Sequence, residues 1–294
     1  MRILLTGKDG QLGEELQALL PAVGMVKAVG RAELDLTQPD AIRQLIRDVE
    51  PSLIINAAAY TAVDKAESEL ELAQAINGTA PTVMAEEAQS LGATLMHIST
   101  DYVFDGQKNT PYLESDPTSP LGAYGTSKLA GEEGIREQCD RHLILRTAWV
   151  YGNGGKGNFV KTMLRLGQER EELKVVVDQV GSPTWTGDLG QAILQFVGAM
   201  EGDRVAQIAG TYHVTNSGAI SWYDFATAIF EEAAHLGFPL RIQRVLPITT
   251  AEYPTPAKRP AYSVLSQQKT AALLGKPQPH WRQGLRQMLA NIPH

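Results

Sequence analysis

Tyr124 and Lys128 stand in the run Ala123-Tyr124-Gly125-Thr126-Ser127-Lys128. On a helix, residues four apart share a face, with the lysine one turn beyond the tyrosine. A free phenol ionises near pH ~10, and a neighbouring cation favours the phenolate, a tenfold change in ionisation being worth about 1.4 kcal/mol. Such a pair can pass a proton to or from a carbonyl or alcohol oxygen. Tyr and Lys at this spacing are also common on solvated helix faces, so the pair alone names only a proton transfer.

The start of the chain suggests what the proton transfer accompanies. Arg2-Ile3-Leu4-Leu5-Thr6 reads as a short buried strand, Gly7-Lys8-Asp9-Gly10-Gln11-Leu12-Gly13 follows directly, and Glu14 to Leu20 continues with helix formers. Strand, glycine turn and helix is the context in which backbone approaches a pyrophosphate at a helix N-terminus. The spacing is GxxGxxG rather than the commoner GxGxxG.

Bulk properties narrow the class. The chain has 294 residues, 43% hydrophobic and 20% charged, enough for one large or two modest domains. A net charge of −7 with no long basic run argues against general capture of nucleic acid or anionic membrane. Cys139 is the single cysteine, which excludes an intrachain disulfide and a cysteine-cluster metal site. Met1 leads straight into the first strand and no apolar run reaches membrane-spanning length, so a cytoplasmic protein is expected.

The elements that must position these residues alternate. Strands are expected at Met25–Val29, Ser52–Asn56, Ala93–Ser99 and His142–Thr147, with helices over Pro39–Val49, Leu70–Leu91 and from Tyr124 to about Cys139. That order implies a Rossmann-type α/β fold, a doubly wound parallel sheet. Its ligands bind at the carboxyl ends of the strands, where Thr6-Gly7, Gly30-Arg31, Asn56-Ala57 and Ser99-Thr100 would emerge. After Tyr151-Gly152 the pattern changes: helices near 159–170, 187–200, 221–236 and 281–291 alternate with short strands near 174–177, 210–214 and 241–246. Pro247 to Pro260 carries four prolines and cannot be regular helix. Residues 1–150 are therefore read as a dinucleotide-binding domain. Residues 151–294 are read as mainly a smaller substrate-binding lobe, interleaved with the first.

Thr6-Gly7-x-x-Gly10-x-x-Gly13, Asn56-Ala57-Ala58-Ala59, Ser99-Thr100-Asp101 and Tyr124-x-x-x-Lys128 together resemble an extended short-chain dehydrogenase/reductase. More specific segments resemble the dTDP-4-dehydrorhamnose reductase family. They are Thr61-Ala62-Val63-Asp64-Lys65-Ala66-Glu67, Thr100-Asp101-Tyr102-Val103-Phe104, Arg146 to Tyr151, Asp178 to Thr184, Trp222-Tyr223-Asp224 and Tyr253 to Pro260. The resemblance implies hydride delivery from a reduced nicotinamide to C4 of a dTDP-linked 4-keto sugar, with Tyr124 protonating the alkoxide. It implies that Lys128 holds the nicotinamide ribose and biases Tyr124 towards ionisation, and that Thr100 hydrogen-bonds the reacting oxygen. Asp101 and Trp149 correspond to positions touching the sugar nucleotide. Gly7, Gly10, Gln11, Leu12 and Gly13 map to the pyrophosphate turn, Asp35 and Leu36 to the adenine pocket, and Ala59, Tyr60 and Thr61 to the nicotinamide side. Arg259 is a candidate for the diphosphate because a guanidinium suits phosphate.

An acid at the end of the second strand would bind the ribose 2′-OH of NAD, whereas a basic residue accommodates a 2′-phosphate. The chain has Gly30-Arg31 there, which favours NADPH, with NADH tolerated. Tyr60 stands where relatives carry His. Glu15 matches a position at which some relatives hold magnesium between subunits, but Asn291 stands where a second acid would help, so no metal is expected. A homodimer is left open. A 4,6-dehydratase would need an Asp-Glu pair where this chain has Asp101-Tyr102. A 4-epimerase would use the same Tyr and Lys. A dinucleotide-binding regulatory subunit, like the beta subunit of methionine adenosyltransferase, is compatible with the same residues.

Overall fold

The computed structural model describes residues 1–200 and 204–292, so the last two residues of the expected second lobe lie outside the description. Short, largely apolar runs form the strands, buried on both faces except at the sheet-edge strand Met25–Val29, where Met25 and Lys27 are exposed. The strands are β1 (Arg2–Thr6), β2 (Met25–Val29), β3 (Leu53–Asn56), β4 (Thr94–Thr100) and β5 (His142–Thr147). Between them run α1 (Gln11–Leu19), α2 (Pro39–Val49), α3 (Ala80–Leu91) and α4 (Ala123–Gln138). Then follow α5 (Phe159–Glu169), β6 (Glu172–Val176), α6 (Thr186–Ala199), β7 (Gly210–His213), α7 (Trp222–His235), β8 (Arg244–Ile248) and α8 (Trp281–Ala290).

Six strands form one parallel sheet in the order β7-β5-β4-β3-β1-β2. Alternating side chains divide between two cores. Ile3, Leu5, Leu53, Ile55, Met96 and Leu145 meet Leu12 and Leu16 of α1 and Ile193 and Phe196 of α6. Leu4, Ile54, Leu95 and Ile144 meet Ile42 and Ile46 of α2, Met84 of α3 and Ile135 of α4. A third core, from Val160, Leu173, Phe225, Ile229, Trp281 and Leu285, belongs to the second lobe, where β6 and β8 pair in parallel. Among the described residues no helix is long and apolar enough to cross a membrane.

Two expectations change. The helix read over 70–91 is interrupted: Leu70–Gln74 passes through a π-helical turn, Ala75–Thr79, before α3. That turn carries Asn77 into the interior, where its side chain binds both backbone polar groups of Tyr60. The strand at 210–213 belongs to the first sheet, beside β5, although it lies in the second half of the chain. Parallel neighbours need a crossover, and α6 supplies it. The proline-rich stretch ends the second lobe's strand β8 and returns to the first. There Arg259 meets Asp64, and Gly106, at φ +72, lets Pro260 approach closely.

Candidate active site

The pyrophosphate turn is shaped by contacts that only glycine permits. Gly7 follows β1 at φ +79, and a Cβ there would lie 2.7 Å from the Ala58 nitrogen. A Cβ on Gly13 would lie 2.0 Å from the Gly7 carbonyl oxygen, so helix and strand can approach only without it. Gly10 begins α1 with extended backbone and no side-chain cap, which leaves the helix start open to an anion. This cradle fits the pyrophosphate of a dinucleotide. Gly155 packs over Gln11 and donates its N–H to Glu14 at 3.0 Å, bringing the loop after Gly152 across the same turn.

At the end of β2, Lys8 pairs with Glu33, and Glu33 accepts the Gly30 N–H at 2.8 Å. Arg31 is exposed beside them. Asp35 is also exposed and accepts the Thr37 N–H and hydroxyl at 2.9 and 2.8 Å. Those bonds hold its carboxyl below the usual range, so its oxygens serve its own turn. Leu36 packs against the helix-side core. Sequence reasoning passed over Lys8 and Glu33, which only the fold brings to Arg31.

The next two strand ends carry the catalytic candidates. Thr100, at the end of β4, donates to Asp101 at 3.1 Å and accepts the Tyr102 N–H at 3.2 Å. Tyr124, in the first turn of α4, lies beside Thr100 and meets the Tyr102 ring edge-on at 5.5 Å. Burial pushes the Tyr124 phenol up to about 12, against a pull from the Thr100 hydroxyl and with a push from the Asp101 charge. At neutral pH it therefore keeps its proton. Asp101 is 2% exposed, and burial raises its carboxyl to about 6 although Ser263 and Thr100 hydrogen bonds oppose the rise. One of its oxygens, Oδ2, has no hydrogen-bond partner of ordinary geometry.

Lys128 is placed otherwise than its spacing suggests. Its Nζ lies 2.7 Å from the Ile98 carbonyl, to which it donates, and 3.0 Å from His97 Nε2. The expected bias of Tyr124 towards ionisation is thus absent from this arrangement, where burial dominates the phenol. The helix itself is fixed from outside: Glu67 accepts the Ala123 N–H at 2.9 Å, while Asn77 donates to the Ser127 hydroxyl at 3.1 Å. His97 and Asn77 went unnoticed in the sequence because their partners are 31 and 50 positions away, and the capping role of Glu67 was hidden because its partner is 56 positions away.

Tyr60, between Ala59 and Thr61, has its backbone clamped by Asn77 and its hydroxyl donating to Glu69 at 2.6 Å. Trp149, just past β5, has φ +47, a conformation that a bulky residue holds only when its surroundings impose it. Its indole stacks on Trp222 at 3.5 Å and 8°, with Gly181 close against its other side. Arg259 donates to Asp64 at 2.8 Å and also bonds Thr255. The proposed diphosphate ligand is thereby committed to tying the proline-rich segment to the first lobe. Glu15 packs beside Gly190 of α6, where burial raises its carboxyl.

The sequence model described as RmlD substrate binding domain matches residues 1–293. A dTDP-4-dehydrorhamnose reductase of Escherichia coli K12 is 45% identical, the match covering 99% of this chain and 98% of that protein. One from Burkholderia thailandensis is 44% identical over 96% of each. The crystal structure of a dTDP-4-dehydrorhamnose reductase from Bacillus anthracis in complex with NADP superposes with a TM-score of 0.91, at 40% identity and 99% coverage of both chains. The chain belongs to the RmlD family of dTDP-4-dehydrorhamnose reductases.

Proposed function

We propose that the protein reduces the C4 ketone of dTDP-4-dehydro-β-L-rhamnose to dTDP-L-rhamnose, with NADPH as preferred reductant and NADH accepted. The observation that carries this reading is the buried, un-ionised Tyr124 phenol beside Thr100, on the sheet edge that also bears the open glycine turn. Near-full-length relatives named for this reaction support the substrate. The NADP complex of the Bacillus anthracis protein and the Lys8–Arg31 edge support the cofactor.

When bound, reduced nicotinamide supplies hydride to the sugar carbonyl. Gly7, Gly10, Gln11, Leu12 and Gly13 would hold its pyrophosphate, Lys8 and Arg31 a 2′-phosphate, Leu36 the adenine side, and Ala59, Tyr60, Thr61 and Lys128 the nicotinamide ribose. Tyr124 gives its proton to O4 as negative charge develops there. Thr100 donates to the same oxygen, an interaction whose removal typically costs 10²- to 10³-fold in rate, roughly. Asp101 and Trp149 orient the sugar. In this reading the cofactor lobe is centred on residues 1–150 and the substrate lobe on residues 151–294, α6 and β7 excepted. Net charge −7 and the absence of a spanning helix among the described residues support a cytoplasmic enzyme without a nucleic-acid partner.

The test is oxidation of NADPH by purified protein supplied with enzymatically prepared dTDP-4-dehydro-L-rhamnose. Turnover is expected, falling about 10²- to 10⁴-fold in Tyr124→Phe, the range lost with a general acid. Tight NADPH binding without turnover would sink the reductase reading.

A further inference from the structure

Behind Lys128 a chain of buried polar groups crosses the sheet. Thr6 donates its hydroxyl proton to Asn56 Oδ1 at 2.7 Å, and the Ala58 N–H donates to the same oxygen at 3.1 Å. Asn56 Nδ2 lies 3.0 Å from His97 Nδ1, and His97 Nε2 lies 3.0 Å from Lys128 Nζ. Asn56 and His97 are fully buried and Lys128 is 1% exposed. The chain runs from the residue before the glycine turn to the lysine one turn beyond Tyr124.

Donor and acceptor roles along it are fixed from one end. The Ala58 N–H can only donate, so the oxygen of Asn56 must face it and the amide nitrogen must face His97. His97 Nδ1 therefore accepts. An imidazole that accepts at Nδ1 is neutral and carries its proton on Nε2, pointing at Lys128. An ammonium has no lone pair, so it would set donor against donor where no solvent relieves the conflict. An uncharged amine accepts the Nε2–H and still donates to Ile98.

We propose that His97 is a positioning residue whose Nε2–H docks Lys128 as an uncharged amine, and that Lys128 takes a proton from solvent on leaving this dock for the cofactor ribose. The second half rests on the reading of Lys128 as the ribose-holding residue. The charged surroundings are few. β4 presents His97 and the Ile98 carbonyl, and the π-helical turn facing α4 presents the neutral Asn77. On α4 itself lie Tyr124 and Glu132, the latter paired with Arg146 of β5 and with Arg136. Burial lowers the Lys128 amine to about 8, with Glu132 pushing the other way. Burial holds His97 well below its ordinary value, in keeping with a neutral ring.

Histidine ¹⁵N spectra of the cofactor-free protein test the dock directly, with His97 assigned by its loss in His97→Gln. Nδ1 as lone pair and Nε2 as N–H at neutral pH is expected; the opposite tautomer or an imidazolium overturns the proposal. Lysine ¹³Cε titration, assigned with Lys128→Met, should give a Lys128 midpoint below 7, because the dock lowers the amine further than the value of about 8 that burial and Glu132 set; a midpoint of 8 or above overturns the dock. Asn56→Asp keeps both hydrogen bonds to Oδ1 but turns an acceptor towards Nδ1, forcing the proton there and freeing Nε2 to accept from an ammonium. The midpoint should then rise by about 1 to 3 pH units, the range a nearby opposite charge produces. An unmoved or lowered midpoint overturns the dock. Saturation with NADPH should also raise the midpoint, and no rise overturns the release step. Full turnover in Lys128→Met would remove the ribose reading and leave the dock standing, whereas an inactive Lys128→Met with a reversed His97 tautomer would remove the dock alone.

Discussion

Around the catalytic helix the residues are positioned by buried polar groups, whereas in the second lobe they are positioned by stacked rings. Glu132 of α4 is fully buried and accepts from both Arg146 Nε and an Arg146 terminal nitrogen at 2.9 and 2.6 Å, from Ser99 at 2.5 Å and from Arg136 at 3.1 Å. Burial pushes its carboxyl up, but these partners outweigh the push and hold it below the usual range. In the second lobe, Trp149 stacks on Trp222, Phe159 stacks on Phe225 at 5.7 Å, and Phe225 meets Trp281 edge-on at 5.9 Å. Hydrogen bonds fix direction as well as distance, which a proton transfer needs. Stacked rings fix a surface and tolerate lateral adjustment, which suits the apolar face of a sugar or base.

The comparison breaks most visibly at Glu132. Glu132→Gln leaves Arg146 buried beside a neutral amide, and removing one partner of a buried pair costs about 3–5 kcal/mol. The urea midpoint should fall by that equivalent, and the loss of α4 anchoring should lower turnover as well. If stability changes by less than a surface ion pair is worth, the polar framework is not what holds this helix.

A smaller effect, of opposite sign, is expected at Asp101. Its carboxyl is raised by burial from 3.8 to about 6, so the folded state binds the proton more tightly than the unfolded state. Its favourable contribution is complete below pH ~4, is lost as pH rises through about 6, and leaves a buried charge costing at most about 3 kcal/mol above that. Asp101→Asn should therefore be more stable than the parent at pH 8, with the difference closing below pH 4, and should turn over more slowly. Denaturation midpoints across pH 3–9 measure this; a pH-independent difference would refute it. The smallest effect belongs to the rings. Trp222→Leu should destabilise by about 1 kcal/mol, the worth of an aromatic pair beyond its area, and raise KM for the sugar nucleotide while leaving kcat nearly unchanged. A fall in kcat with KM intact would mean that the platform serves the chemistry rather than recognition.

Local signals accounted for the strands and for the glycine turn. Buried aliphatic runs gave β1 to β5 within a residue or two of their ends, because a covered parallel strand needs side chains apolar on both faces. The glycine turn was legible because only glycine tolerates its contacts. The π-helical turn at 75–79 was not, since Ala, Ile and Asn continue a helix pattern and only the contact of Asn77 with Tyr60 distinguishes it. Asp64 and Glu67 drew notice as part of a motif, but their work, holding Arg259 and capping α4, depends on residues 195 and 56 positions away.

The sequence by itself determined the doubly wound sheet and the glycine cradle and singled out the Tyr124–Lys128 pair, because period, turn chemistry and helical spacing are local properties; Thr100 was singled out by resemblance. Tertiary structure alone decided where the Lys128 amine points, which state the Tyr124 phenol occupies, and that β7 completes the first sheet. Each of these depends on burial and on hydrogen-bond partners drawn from distant strands, and neither burial nor partner is written in the spacing of residues along the chain.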